Sequence, residues 1–233
     1  MKIFIDSGHN FSGADTGAIG NGLKEQDITF MIADKLKRLF LDSGHSVKMS
    51  RNSLEENIGK TVSDSLNKRT AMSNEWGADL FISIHCNAGG GTGTETLVYS
   101  KGGESEKVAE RIQNAICRKL GTIDRGVKVN SSLAVLRLTK APAVLVETAF
   151  IDNIKDSVLL RERQGDFASA IYEGVAGKMA EINELTEVND ICWELGRRNI
   201  ITDKELWLKK LKEDKNSYYL ARKALNYMRG KNV

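Results

Sequence analysis

Four residues far apart in the chain, His9, Glu25, His85 and Glu147, stand where strands or helices are predicted to begin or end. Together they offer two imidazoles and two carboxylates. Two imidazoles and one carboxylate can hold Zn²⁺ with a fourth tetrahedral position left to water, and a further carboxylate can then accept a proton. That combination points to hydrolysis.

Each of the four has a plainer role to set beside the chemical one. His9 follows the first predicted strand in DSGHN, at the carboxyl end where open α/β sheets place their ligand crevice. Alone, it could be a loop histidine bonded to backbone. Glu25 opens a helix, where the helix dipole favours a carboxylate in any case. His85 ends the apolar run LFISIH. A strand buried on both faces rarely finishes in an imidazole and an amide, His85 and Asn87, unless they serve a crevice. Glu147 lies in APAVLVETAF, an apolar strand where an unpaired charge is costly and so needs a partner or a task. Cys86 points to the opposite face by strand alternation and reads as packing. His45, in SGHSV, reads as a solvent-exposed turn residue outside the set.

The elements that must position these residues alternate along the chain. Short β-branched runs predict strands at 2–6, 46–50, 79–85, 94–100, 134–138 and 143–148. Between the first two, Ile28, Ile32, Leu36 and Leu39 share one face of a helix from about Glu25 to Asp42, with Gly44 placed to stop it. Further helices are expected over 63–76, 104–120 and 166–182. Alternating strands and helices predict an α/β domain with a mostly parallel twisted sheet flanked by helices.

After Leu185 the strand signals cease. Thr202 with Glu205 reads as a capping box. Val188, Ile191, Cys192 and Leu195, then Leu220, Ala224 and Met228, mark apolar helical faces. A catalytic domain over 1–183 followed by a small all-α domain over 186–233 is the expected organisation. Residues 186–233 hold eleven Lys and Arg against seven Asp and Glu, whereas the whole chain carries a formal net charge of only +3. That charge suits either an anionic polymer or a solvated helical surface, and Trp193, Trp207, Tyr218, Tyr219 and Tyr227 in the same stretch suit either stacking on sugar rings or the core of a small bundle. No nucleic-acid-binding motif accompanies the charge.

Composition excludes other classes. No stretch approaches the ~18 apolar residues needed to cross a membrane. Three cysteines, Cys86, Cys117 and Cys192, widely spaced and without a CxxC pair, argue against a disulfide framework. The start, MKIFIDSGHN, reads as a first strand and not as a secretory signal. The expected site of synthesis is the cytoplasm.

Over residues 1–183 the chain resembles the zinc-dependent N-acetylmuramoyl-L-alanine amidases of the amidase-3 type. DSGHN with Gly13 and Gly17 resembles their first ligand loop, and KEQDITFMIADKL the helix with the second ligand. RTAMSNEWGADLFISIHCNA resembles the segment with the third ligand. GTETLVYS and APAVLVETAFIDN resemble the next strand and the stretch with the catalytic glutamate. Five fragments in the right order are far more specific than any one.

The resemblance implies one Zn²⁺ held by His9, Glu25 and His85, with Glu147 as acid/base and Glu95 as either a substrate-side residue or a strand-edge ion pair. It implies a peptidoglycan hydrolase that cuts the amide between N-acetylmuramic acid and L-alanine. A phage or prophage endolysin released by a holin fits best; a bacterial autolysin or sporulation amidase, a stem-peptide zinc peptidase and a non-catalytic wall-binding protein are the alternatives. The short turn Gly89 to Gly93 leaves no room for the inserted plug helix of some relatives, so activity without an activator is expected.

Overall fold

The computed structural model describes residues 1–176, 191–192, 195, 200–214, 217 and 221. The chain divides into two compact units, Met1–Met179 and Ala180–Val233.

In the first unit, strands β1 (Lys2–Ser7), β4 (Ser46–Met49), β5 (Leu80–Asn87), β6 (Thr94–Val98), β7 (Asp124–Val129) and β8 (Ala143–Phe150) form one sheet in the order β4-β1-β5-β8-β6-β7. All neighbours are parallel except β6 and β8, which run antiparallel. A two-stranded hairpin, β2 (Ile19–Gly20) with β3 (Leu23–Lys24), leads into helix α1 (Glu25–Asp42). The sheet is thus the expected α/β architecture, with the carboxyl ends of β1, β5 and β8 side by side.

Strand alternation divides the core. Ile3 and Ile5, Ile82 and Ile84, and Val144 and Val146 face a layer made by α1, α3 (Glu104–Leu120) and α6 (Gln164–Ala176). Phe4, Phe81 and Leu145 face the other way, toward α2 (Val62–Trp76) and α4 (Ala134–Arg137). Phe4 and Phe81 stack with ring centroids 5.6 Å apart. Each such buried side chain contributes roughly 1.5–3 kcal/mol over its exposed state, which makes the sheet a rigid platform for residues at its edge.

Besides the β2–β3 hairpin, which the sequence reading did not anticipate, three elements depart from the sequence-based expectation. Residues 134–138, expected as a strand, form the single turn α4. Val135 and Leu136 are both buried, and consecutive residues reach one core from a helical turn but not from a strand. The five-residue run was too short for its period to decide. Strand β7 went unrecognised because it is a charged edge strand with Gly126 at φ 77° and no apolar alternation. Helix α5 (Ile154–Glu162) was also missed; its start is fixed by Asn153, which accepts from the amides of Lys155 and Asp156.

In the second unit, helix α7 (Lys204–Glu213) is capped by Asp203, whose side chain accepts from the Leu206 amide at 3.0 Å. The expected cap at Thr202 is therefore one residue early. Ile191, Cys192, Leu195, Ile201 and Leu211 make a small core, against which the half-buried Trp207 packs. Trp193, Tyr218, Tyr219, Tyr227, Val188, Leu220, Ala224 and Met228 lie outside the described residues, as do residues 177–182 of the stretch 166–182 expected to be helical. None of the described helices is long and apolar enough to cross a membrane.

Candidate active site

β1 ends at Ser7, and the chain turns at Gly8 to present His9. The turn puts His9 at φ 67°, a left-handed conformation that non-glycine residues hold only when their surroundings enforce it. Arg69 of α2 is what enforces it. Its Nη2 donates to the His9 carbonyl at 2.5 Å, and its Nη1 donates to the Ser7 carbonyl and to Asp6 Oδ1, both at 2.7 Å. From the other side Thr29 Oγ1 donates to the Gly8 carbonyl at 2.9 Å, and Arg51 Nη2 donates to the Gln26 carbonyl at 2.7 Å. Arg51 and Arg69 are both essentially excluded from solvent.

Glu25 is the first residue of α1 and 4% exposed. Its Oε2 accepts from the Ala18 amide at 2.8 Å and its Oε1 from the Cys86 amide at 3.0 Å. The same Oε1 lies 3.1 Å from His9 Nε2 and 3.1 Å from His85 Nδ1. His85, near the end of β5, is the register partner of Glu147 on β8. The two imidazole rings meet edge to face with centroids 4.8 Å apart.

Residues remote in sequence thus converge on one point. One donor atom each from His9, Glu25 and His85 lies within 4.8 Å of the other two. Two imidazole nitrogens and a carboxylate oxygen are a fit donor set for a divalent transition metal with an open coordination position. Asp15 supports the set: its Oδ1 lies 3.3 Å from His9 Nδ1, the carboxylate partner that fixes a ligand ring's tautomer and orientation.

Two glycines keep the space clear. A Cβ on Gly8 would come within 2.5 Å of the His85 ring, and one on Gly17 within 2.6 Å of the Glu25 side chain. Gly8→Ala is therefore expected to displace His85 and weaken metal affinity by roughly 10–100-fold, as supporting-residue changes do. Competition with a chromogenic chelator measures it; unchanged affinity would show that the ring tolerates displacement.

Residues 3–177 match the family model described as N-acetylmuramoyl-L-alanine amidase, Amidase_3. The chain belongs to that amidase family. The amidase CwlM of Bacillus licheniformis is 39% identical over 188 residues, spanning 80% of this chain and 70% of that protein. The endolysin of Bacillus phage SPP1 is 38% identical over 191 residues, spanning 78% of this chain and 66% of that protein. The crystal structure of N-acetylmuramoyl-L-alanine amidase from Clostridium difficile 630 superposes with a TM-score of 0.67 at 30% identity, over 76% of this chain and 95% of that one. The protein is a peptidoglycan amidase.

The electrostatics of the amidase site follow from its packing. Burial disfavours a charged Glu25, yet hydrogen bonds from His85 and His9 outweigh it and hold the carboxyl well below the usual range. Burial likewise opposes protonation of His9, but Asp15 and Glu25 outweigh it and raise the ring to about 9. A metal ion would compete with those ring protons, so binding is expected to release protons. Glu147 goes the other way. Burial, aided by the carboxylates of Glu25 and Glu95 and opposed by His85 and His9, pushes it up to about 7. Its Oε2 is shielded and takes no hydrogen bond among the described residues, an orphaned acceptor beside the candidate metal ligands.

His9, Glu25, His85 and Glu147 are thus brought together, and Glu95 adjoins them as the register partner of Glu147 on β6. Cys86 is buried and near Thr148, a packing residue as expected. His45 is away from the site. It packs edge-on against Phe40 at 5.7 Å instead of standing free in solvent. Sequence reasoning missed Asp15, Asp6 and Arg51, and it quoted Arg69 without a role. The one available signal was a buried-phase position for Arg69, on the helix face shared with Ser65 and Ser73.

Proposed function

We propose that His9, Glu25 and His85 hold one zinc ion and that Glu147 is the acid/base for cleavage of the amide between N-acetylmuramic acid and L-alanine. The observation that carries this reading is the convergence of the three donor atoms, with Glu147 next in register to His85. When bound, the ion would polarise the lactyl carbonyl and make water acidic near neutral pH. Glu147 supplies the proton transfers. Its Oε2, which has no hydrogen-bond partner among the described residues, takes the proton of the attacking water and returns it to the leaving alanine nitrogen. Its raised proton affinity suits both halves of that exchange. Asp15 and Arg69 keep His9 in place throughout.

Digestion of purified peptidoglycan by the purified protein alone tests the reading. New amino-terminal alanine is expected, with no new reducing sugar ends; cleavage within the stem peptide would instead indicate a peptidase. Working without an activator is supported by the connection between β5 and β6, where Gly89 and Gly90 amides are tied to Asp152 Oδ2 at 2.7 and 2.8 Å. The phage endolysin among the relatives supports a lytic role, with synthesis in the cytoplasm and access to the wall on lysis. The similarity to a sporulation-specific N-acetylmuramoyl-L-alanine amidase of Bacillus subtilis, 36% identical over 192 residues, supports a bacterial autolysin or sporulation role as the second reading. We propose for residues 186–233, in either setting, a role in wall binding, spacing or oligomerisation.

A further inference from the structure

Beyond Glu147 the sheet continues into two strands for which the proposed reaction gives no role. Glu95 of β6 is gripped from β7: Arg125 Nε donates to its Oε2 at 2.7 Å, and Lys128 Nζ donates to the same oxygen at 2.5 Å. Asn87 Nδ2 donates to Oε1 at 3.0 Å. Burial works against ionisation of Glu95, but Lys128 and Arg125 keep it an anion.

Two cations therefore share one carboxylate, and both have donors to spare. The Arg125 guanidinium lies over the Phe150 ring at 4.9 Å and its Nη1 reaches the Thr92 carbonyl at 3.5 Å. Among the described residues nothing accepts from Arg125 Nη2, and Lys128 Nζ has no acceptor besides Glu95. Their side chains remain 34% and 44% exposed. A strand-edge ion pair needs one cation; the second leaves net positive charge and free N–H groups around Glu95, carried by β7 two strands from Glu147.

We propose that Arg125 and Lys128 bind the first free carboxylate of the stem peptide on the leaving-group side of the scissile amide. The inference rests on the reaction proposed above. The carboxyl of the first residue, alanine, is consumed in the next peptide bond, whereas an acidic second residue linked onward through its side-chain carboxyl keeps its α-carboxylate, the first free one along the stem. The spacing agrees. Two strand separations place β7 about 10 Å from β8, and an extended peptide covers about 3.5 Å per residue. Both cations lean back toward Glu95, which shortens the reach. The opposite end of the sheet is less suited, because the groove next to β4 is lined by Glu56 and Glu75 against a single cation, Lys68. Charge complementarity thus directs an acidic peptide toward β7.

The test uses the full-length, zinc-loaded protein and two disaccharide tripeptides that differ only at the second stem residue, α-carboxylate or α-carboxamide. The wild type is expected to favour the carboxylate about tenfold in kcat/KM, chiefly through KM, the scale of charge-assisted hydrogen bonds. Arg125→Gln and Lys128→Gln should each bring that ratio toward unity. An undiminished ratio in both variants, or equal losses on both substrates, overturns the subsite. Lys128→Gln carries the test if loss of the Phe150 contact keeps the arginine variant from folding. Titration calorimetry on Glu147→Gln supplies a readout free of turnover: a roughly tenfold difference in Kd between the two compounds supports the subsite, and equal Kd values overturn it. If wild type cleaves neither compound while the Kd difference persists, the proposed reaction fails and the carboxylate site stands.

Discussion

Glu147→Gln is expected to lower turnover on peptidoglycan by roughly 10²–10⁴-fold while leaving metal content unchanged. The amide replaces the carboxylate at nearly the same volume and removes a buried charge, so the fold should be at least as stable. What disappears is the carboxylate on β8 that is the register partner of His85. The pH profile carries the same prediction. Glu147 must be deprotonated to accept a proton, and burial pushes it up to about 7. A bound cation pulls that value down, so the wild-type rate should rise with pH along a limb centred at or below about 7. The limb should be absent from the residual activity of Glu147→Gln. Steady-state kinetics on solubilised muropeptides across pH 5–9 checks both points; a fully active variant would remove the assigned base.

Arg69→Met is expected to be the most destabilising single change, by roughly 3–5 kcal/mol at neutral pH, because it leaves Asp6 as an unpaired buried charge. For a domain of this size that shifts thermal unfolding by roughly 10 °C. Arg69 is 1% exposed and binds Asp6, the Ser7 and His9 carbonyls, Asn10 Oδ1 and Ser65 Oγ. Removing it frees the His9 loop from its left-handed conformation, so metal retention should fall together with stability. The sign of the pH dependence is fixed by Asp6. In the wild type, burial opposes its ionisation but Arg69, His85 and Ser83 hold its carboxyl below the ordinary value. That contribution is present above the unfolded carboxylate pKa of about 4 and is lost as pH falls through the folded value. In the variant an unpartnered Asp6 prefers to be protonated, so the difference between the proteins should narrow as pH drops toward 4. Circular-dichroism melting curves at pH 7 and pH 4.5 measure it, and an equal gap at both pH values would contradict the Asp6 pairing.

The candidate site residues were legible in the sequence because each sits where a local pattern breaks. His85 and Asn87 close an apolar strand, Glu147 interrupts another, and Glu25 opens a periodic helix. Parallel strands bring their carboxyl ends together, so the α/β pattern alone predicted that these breaks would meet. The supports were not legible in the same way. Arg69 reaches back sixty residues to the His9 carbonyl, and Thr29 reaches back to Gly8, through backbone acceptors that have no residue type to read. Asp15 lies in a loop whose conformation comes from Asn10, Asn57 and Gly59, all joined by long-range hydrogen bonds. Strand β7 escaped notice for a related reason: its charges serve Glu95 and the crevice, so its sequence lacks the apolar alternation that marks a strand.

Metal analysis of three purified proteins tests the central claim most directly. Wild type and Glu147→Gln are predicted to carry zinc at close to one ion per chain, and His85→Ala to carry almost none under the same preparation. An active wild type free of metal, or a His85→Ala protein with undiminished zinc, would contradict the site described above.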